Sequence, residues 1–282
     1  MNELQAFSAN KWGTQPAVGS AADGYSSAVA FALHPLHGAV VLKRPKVHRM
    51  YLAEKRALQL LGDARFPAPQ LLGFDDESGT LLLTCLAGEN LASRTAPPDA
   101  RTANQLGQLL AAFHAVTPPA DYPKKNDAAS LHSTFLRDYS FMQQHLEAAL
   151  LADTERFAEQ GFAAAAKNDF SCLTHGDFRL GNVMQNGEQL YLFDFESSAV
   201  GDKMSDFCKM LSQELPAELH RSFLDGYTAL CSAFDESKLA ASLRFYTALE
   251  SLSALRWCIL VGRKDDAFFR QNLQTLTETV SQ

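Results

Sequence analysis

The chain has 282 residues, 46% of them hydrophobic and 20% charged, with a formal net charge of −7. That is ordinary globular composition in a chain too long for one simple core, so one large or two small lobes are expected. The acidic balance argues against a nucleic-acid backbone as the main partner, and no apolar run is long enough to cross a bilayer. The five cysteines, Cys85, Cys172, Cys208, Cys231 and Cys258, are odd in number and lack metal-ligand spacing, which predicts buried free thiols. The Met1–Gln5 start has no basic stretch leading into an apolar run, so a signal peptide is not expected and a cytoplasmic location is.

The first 85 residues are rich in short β-forming runs. Ser27–Leu33 and Gly38–Lys43 flank the turn signal His34-Pro35-Leu36-His37 and predict a hairpin. Val47–Leu61 has helical spacing, with Tyr51, Ala57, Leu58, Leu60 and Leu61 on one face. Pro67 and Pro69 break the chain, and Gln70–Phe74 and Thr80–Cys85 predict two further strands. Leu86–Asn90 is the expected connector. Beyond it Pro97-Pro98-Asp99 starts a helix running to about Val116, with Leu106, Leu109, Leu110 and Phe113 on one stripe. One helix is expected over Ser130–Leu151 and another over Thr154–Ala166. Short strands follow at Cys172–Thr174 and Gln189–Phe193, and three or four helices occupy the chain from Lys203. The expected fold is α+β and bilobal: a β-rich lobe over residues 1–85 and a mostly helical lobe over 86–282, with a small-molecule cleft between them.

The chemistry concentrates in His175-Gly176-Asp177-Phe178-Arg179-Leu180-Gly181-Asn182 and Leu192-Phe193-Asp194-Phe195-Glu196. An Asp five residues before an Asn, followed by a second Asp on a short strand, is the set that phosphoryl transfer needs. Asp177 is the candidate general base. Asn182 and Asp194 are candidate magnesium ligands, because that ion takes oxygen donors and keeps several waters. Glu196, on the same side as Asp194 if the chain is extended there, either joins a second metal or is a solvated carboxylate. Arg179 either reaches the γ-phosphate or forms a salt bridge elsewhere. Lys43, with Glu54 as its partner, is the candidate phosphate lysine, and Arg44 and Lys46 compete for the role. Gly24, Ser26 and Ser27 sit where a phosphate-covering loop would lie, without a G-x-G-x-x-G pattern. His175 is expected to fix the loop through backbone near Asp194, and Asp206, with Asp202 as competitor, to brace it.

Together these residues resemble the aminoglycoside phosphotransferase and choline kinase superfamily, small-molecule kinases with a protein-kinase-like fold. The match runs through Gly24–Val29, Val41-Leu42-Lys43, Glu54, Leu81–Thr84, the two central motifs and Gly201-Asp202…Asp206, and includes Phe223–Tyr227. Lys203 stands where many relatives carry Pro. The resemblance implies ATP bound between the lobes, with Thr84, Cys85 and Leu86 at the adenine ring, and magnesium on Asn182 and Asp194. It also implies transfer of the γ-phosphoryl group to the hydroxyl of a small molecule that is aminoglycoside-, amino-sugar- or choline-like. The expected assembly is a monomer or homodimer. The competing expectation is a non-catalytic nucleotide-binding module of the same fold.

Overall fold

The computed structural model describes residues 2–17, 22–23, 26–124, 128–264 and 266–281. The chain opens with α1 (Glu3–Trp12), two short strands β1 (Gln15–Pro16) and β2 (Ala22–Asp23), the hairpin β3 (Ser27–His34) and β4 (Gly38–Pro45), and α2 (His48–Asp63). Two more strands, β5 (Leu71–Asp75) and β6 (Thr80–Thr84), complete an antiparallel sheet of order β1-β3-β4-β6-β5, with β2 against β3. Gly38 takes φ +69° at the end of the β3–β4 turn, a value that suits glycine.

Alternation along the strands sets the two faces of this sheet. Ala30, Ala32, Val40, Leu42 and Leu82 pack with Leu4 of α1, each large side chain among them contributing about 1.5–3 kcal/mol of burial. The intervening Val29, Phe31, Val41, Lys43 and Leu83 face a cleft on the other side. The helix α1 was absent from the sequence reading. Its signal was a capping box: Asn2 Oδ1 accepts from the Gln5 backbone N–H at 2.8 Å, and Gln5 Oε1 accepts from Asn2 N at 3.1 Å.

The second half is mostly helical. After β7 (Glu89–Asn90) come α3 (Ala100–His114), α4 (Ala128–Met142) and α5 (Ala148–Ala165). Asp99 caps α3 by accepting from Thr102 N at 2.8 Å. The single helix expected over Ser130–Leu151 is instead broken after Met142, and the helix expected from Thr154 begins earlier, at Ala148. The physical reason is packing: Met142 and Leu151 belong to the same buried cluster as Leu252 and Leu255, so the chain turns back through the polar Gln143–His145 run.

The small strands β8 (Cys172–Thr174), β9 (Val183–Asn186), β10 (Gln189–Leu192) and β11 (Ala199–Gly201) follow. Here β9 and β10 form a hairpin that pairs also with β7, and β11 pairs with β8. A single turn α6 (Phe207–Lys209) runs into a π-helical segment, Met210–Glu214, and then α7 (Ala217–Leu230), α8 (Leu239–Leu260) and α9 (Ala267–Val280). Helices α3 and α7 cross at backbone contact. A Cβ on Gly107 would lie 1.9 Å from Phe223 O, and one on Gly226 2.0 Å from Asn104 O. No helix among the described residues is long and apolar enough to cross a membrane.

Candidate functional site

A cleft of about 270 Å³ lies between the sheet and the β9–β10 hairpin. Its apolar walls come from Val29, Phe31, Val41, Leu83, Met184 and Phe193, and its polar end from Lys43, Glu54 and Asp194. Strand parity puts Lys43 there and its neighbour elsewhere. Arg44 lies on the α1 side of the sheet, 3.0 Å from Glu3 Oε1 and 2.9 Å from Thr80 Oγ1.

Lys43 Nζ sits 2.7 Å from Glu54 Oε2, 2.5 Å from Asp194 Oδ1 and 3.7 Å from Glu196 Oε2. Glu54 is 1% exposed because it occupies the inward stripe of α2 with Tyr51, Leu58 and Leu61. Burial pushes its carboxyl from an ordinary value of 4.5 up to about 7, against the pull of Lys43. Burial also opposes the Lys43 charge, but Glu54 and Asp194 outweigh it and hold that pKa above the ordinary lysine value. Oxygens of Glu54, Asp194 and Glu196 all come within 4.8 Å of one another. One ammonium among three carboxylates leaves a surplus of negative charge on hard oxygen donors, which suits a magnesium ion.

The chain is not extended at Asp194, the condition under which Glu196 is expected on the same side. Asp194 takes φ +69°, a left-handed conformation that Asp tolerates better than most residues. The bend brings both Asp194 and Glu196 to Lys43. Ser27 Oγ donates to Glu196 Oε2 at 3.0 Å, tying the start of β3 to this acidic loop.

The loop before β9 is held from several sides. Asn182 Nδ2 donates to Asp177 O at 2.8 Å and to Asp177 Oδ2 at 3.0 Å. That commitment leaves the Asn182 amide oxygen as the atom able to ligate a cation. His175, fully buried, places Nε2 3.0 Å from Phe193 O, next to Asp194, while its Nδ1 accepts from Asp177 N at 3.2 Å. Asp206 accepts from the backbone N–H of His175 at 2.7 Å and of Gly176 at 2.8 Å. Its competitor Asp202 is engaged elsewhere, with Asn168 Nδ2 and the Tyr246 hydroxyl, each at 2.7 Å. Gly176 needs its φ of +75°, and a Cβ there would sit 2.8 Å from Ser197 O.

Several positions complete the set of expected residues. Thr84, Cys85 and Leu86 line the cleft. The Cys85 N–H already donates to Ala39 O at 3.3 Å, so connector backbone beyond it is the part left to meet a base. Ser26 uses its carbonyl to accept from Lys46 N at 2.8 Å. Gly24 lies outside the described residues. Arg179 is exposed beside Gly181 and forms no ion pair among the described residues, although its charge is felt at Asp177 and Glu214.

One group at Asp177 and one at Asp206 carry no signal in the sequence. Lys209 Nζ lies 2.5 Å from Asp177 Oδ1 and 4.0 Å from Glu250 Oε2. Burial pushes the Asp177 carboxyl up, and the Lys209 charge overrides it, so the group ends below its ordinary value. His114 was missed too: its Nε2 is 3.1 Å from Asp206 Oδ2 and its Nδ1 is 2.8 Å from the Tyr227 hydroxyl. No local motif could have flagged these residues, because each reaches the loop from a distant helix.

Comparison with known proteins gives the family and the fold. The profile of the phosphotransferase enzyme family matches residues 19–241. Among solved structures, the GDP and kanamycin complex of APH(2")-IIia superimposes with a TM-score of 0.71 at 17% identity, covering 98% of this chain and 97% of that one. A choline/ethanolamine kinase family protein from Mesorhizobium loti gives 0.71 at 17% identity, over 93% of this chain and 86% of that one. The macrolide 2'-phosphotransferase MphH from Brachybacterium faecium gives 0.68 at 18% identity, over 97% of each chain. At these identities the likeness is one of fold. No curated protein matches the chain in sequence.

Proposed function

We propose, for a chain that belongs to the phosphotransferase enzyme family, that it moves the γ-phosphoryl group of ATP or a related nucleotide to a hydroxyl of a small molecule. The observation that carries this reading is the convergence of Lys43, Glu54, Asp194 and Glu196 at one end of an apolar cleft, with Asp177 and Asn182 on the adjoining loop.

In this reading the cleft walls and the connector around Thr84, Cys85 and Leu86 take the base. The Lys43 ammonium leaves Asp194 for the α- and β-phosphates while Glu54 keeps it oriented. Ser26 and Ser27 border the phosphate tail. Asn182 and Asp194, with Glu196 beside them, would hold magnesium. That ion, when bound, neutralises phosphate charge and fixes the γ-phosphorus in line with the incoming oxygen. Asp177 Oδ1 receives the acceptor's hydroxyl proton as the new P–O bond forms and the bond from the γ-phosphorus to the bridging oxygen breaks, the nucleoside diphosphate leaving with the electron pair. Asn182 fixes the other carboxylate oxygen, so the base presents one lone-pair edge. Arg179, exposed on the same loop as Asp177, stabilises charge on the transferring group.

The acceptor class is a polyhydroxylated or amino-bearing small molecule, as the neighbours' kanamycin and macrolide chemistry suggests. Because one neighbour was solved with GDP, guanosine and adenosine nucleotides belong in the same assay. We place the enzyme in the cytoplasm as a monomer or homodimer, with no nucleic-acid or membrane partner. The test is phosphoryl transfer from labelled ATP and GTP across a library of hydroxylated metabolites and antibiotics. Transfer to at least one acceptor is expected, with Asp177→Asn lowering kcat by about a thousandfold while nucleotide still binds. Full turnover in that variant would remove Asp177 from the role of base.

A further inference from the structure

The feature that this reading leaves unused is the cation on the base. Lys209 Nζ, on the last residue of α6, lies 2.5 Å from Asp177 Oδ1, the oxygen that Asn182 leaves free. Glu250 of α8 holds Oε2 4.0 Å from the same ammonium. That oxygen is buried and accepts no hydrogen bond from any described residue.

We propose that Lys209 is a cap on the catalytic carboxylate, which blocks water from Asp177 until an acceptor displaces the ammonium toward Glu250. The proposal rests on the phosphotransferase reading of the same site. Its chemical logic is competition for one oxygen. A nucleotide bound without acceptor faces water at about 55 M, and a bare base beside it would promote hydrolysis. In that side reaction a water oxygen bonds to the γ-phosphorus and the bond from phosphorus to the bridging oxygen breaks. The nucleoside diphosphate leaves with the electron pair, and the water proton passes to Asp177. A Lys ammonium has only donors, so while it sits on Oδ1 it occupies the exposed side of that oxygen and its charge makes the carboxylate a weaker acceptor for a water proton.

Glu250 makes the motion reversible, because it offers a second anionic partner without a large displacement. Burial raises the Glu250 carboxyl to about 7, against the pull of Lys209, so this partner binds the ammonium best once ionised. The other charged groups facing Lys209 are Arg179 on the loop and Glu214 at the end of the π-helical segment. Glu214 is already engaged, accepting from Leu180 N. The surplus oxygen is therefore on Glu250.

The experiment needs no acceptor. Phosphate release is measured from MgATP and from MgGTP with the full-length protein alone, beside calorimetric titration of each nucleotide. Lys209→Met should raise hydrolysis about tenfold over the natural protein, and Lys209→Met combined with Asp177→Asn should return it to background. Lys209→Arg keeps a cation on the carboxylate and should hold hydrolysis low. Glu250→Gln, which strands the ammonium on Asp177, should leave hydrolysis at or below the natural rate. Circular dichroism melting of each variant shows whether it is folded, and Lys209→Gln replaces Lys209→Met if the latter does not fold. Unchanged or reduced hydrolysis in the folded Lys209 variant with nucleotide bound would overturn the cap. Absence of nucleotide binding by the natural protein would instead overturn the phosphotransferase reading beneath it.

Discussion

Replacing Glu54 by Gln should stabilise the protein and weaken nucleotide binding together. Glu54 is 1% exposed, and its carboxyl titrates at about 7 rather than 4.5. A carboxyl raised in the folded state contributes stability that is fully present below its unfolded value and is lost as pH rises through its folded value. The window is therefore about pH 4.5 to 7, and between about pH 5 and pH 8 the loss through this one group is about 2–3 kcal/mol. Gln mimics the neutral acid and does not titrate. The variant should match the natural protein near pH 5 and exceed its unfolding free energy by about 2 kcal/mol near pH 8. Lys43 keeps Asp194 at 2.5 Å, so its charge is not orphaned. It is, however, no longer oriented by the Glu54 carboxylate, and nucleotide affinity should drop by about tenfold or more. Urea unfolding at the two pH values and calorimetric nucleotide titration read both effects. A difference in stability that is the same at both pH values, or a variant less stable near pH 8, would refute the argument that buried Glu54 is the group being neutralised.

Gly226→Ala forces a methyl to within 2.0 Å of Asn104 O, so α3 and α7 must separate, lowering unfolding free energy in urea by about 3 kcal/mol. Asp206→Asn turns an amide N–H toward one of three donors, His175 N, Gly176 N or His114 Nε2. It should lower stability by about 2–4 kcal/mol and kcat by more than tenfold, read by denaturation and by turnover. Chelation with EDTA should abolish transfer and added magnesium should restore it; a metal-independent rate would count against the Asn182 and Asp194 assignment.

Much of this molecule was legible in order along the chain. Two Val-, Ala- and Leu-rich runs around a turn signal marked the hairpin, Pro97-Pro98-Asp99 marked the start of α3, and the spacing of Asp177, Asn182 and Asp194 marked the chemistry. The break at Gln143–Glu147 was not legible, because nothing local forbids helix there; Met142 and Leu151 impose it by sharing one buried cluster. Nor could the bend at Asp194 be foreseen. An apolar run ending in Asp-Phe-Glu is compatible with continued extension, and only the folded chain shows the left-handed turn that sets both acids beside one lysine.

The choice between Lys43 and Arg44 shows where the line falls. Sequence supplied two cations at a strand end and the chemistry that wants one of them. Pairing of β4 with β6 decided which of the two faces the cleft, since adjacent side chains on a strand point to opposite faces. In the same way the sequence placed Asp177 and Asn182 five residues apart, enough to name a base and its neighbour. Only the packing of α6 and α8 beneath that loop brought Lys209 and Glu250 to it, because contacts between residues so far apart along the chain are set by how helices stack and by no local pattern.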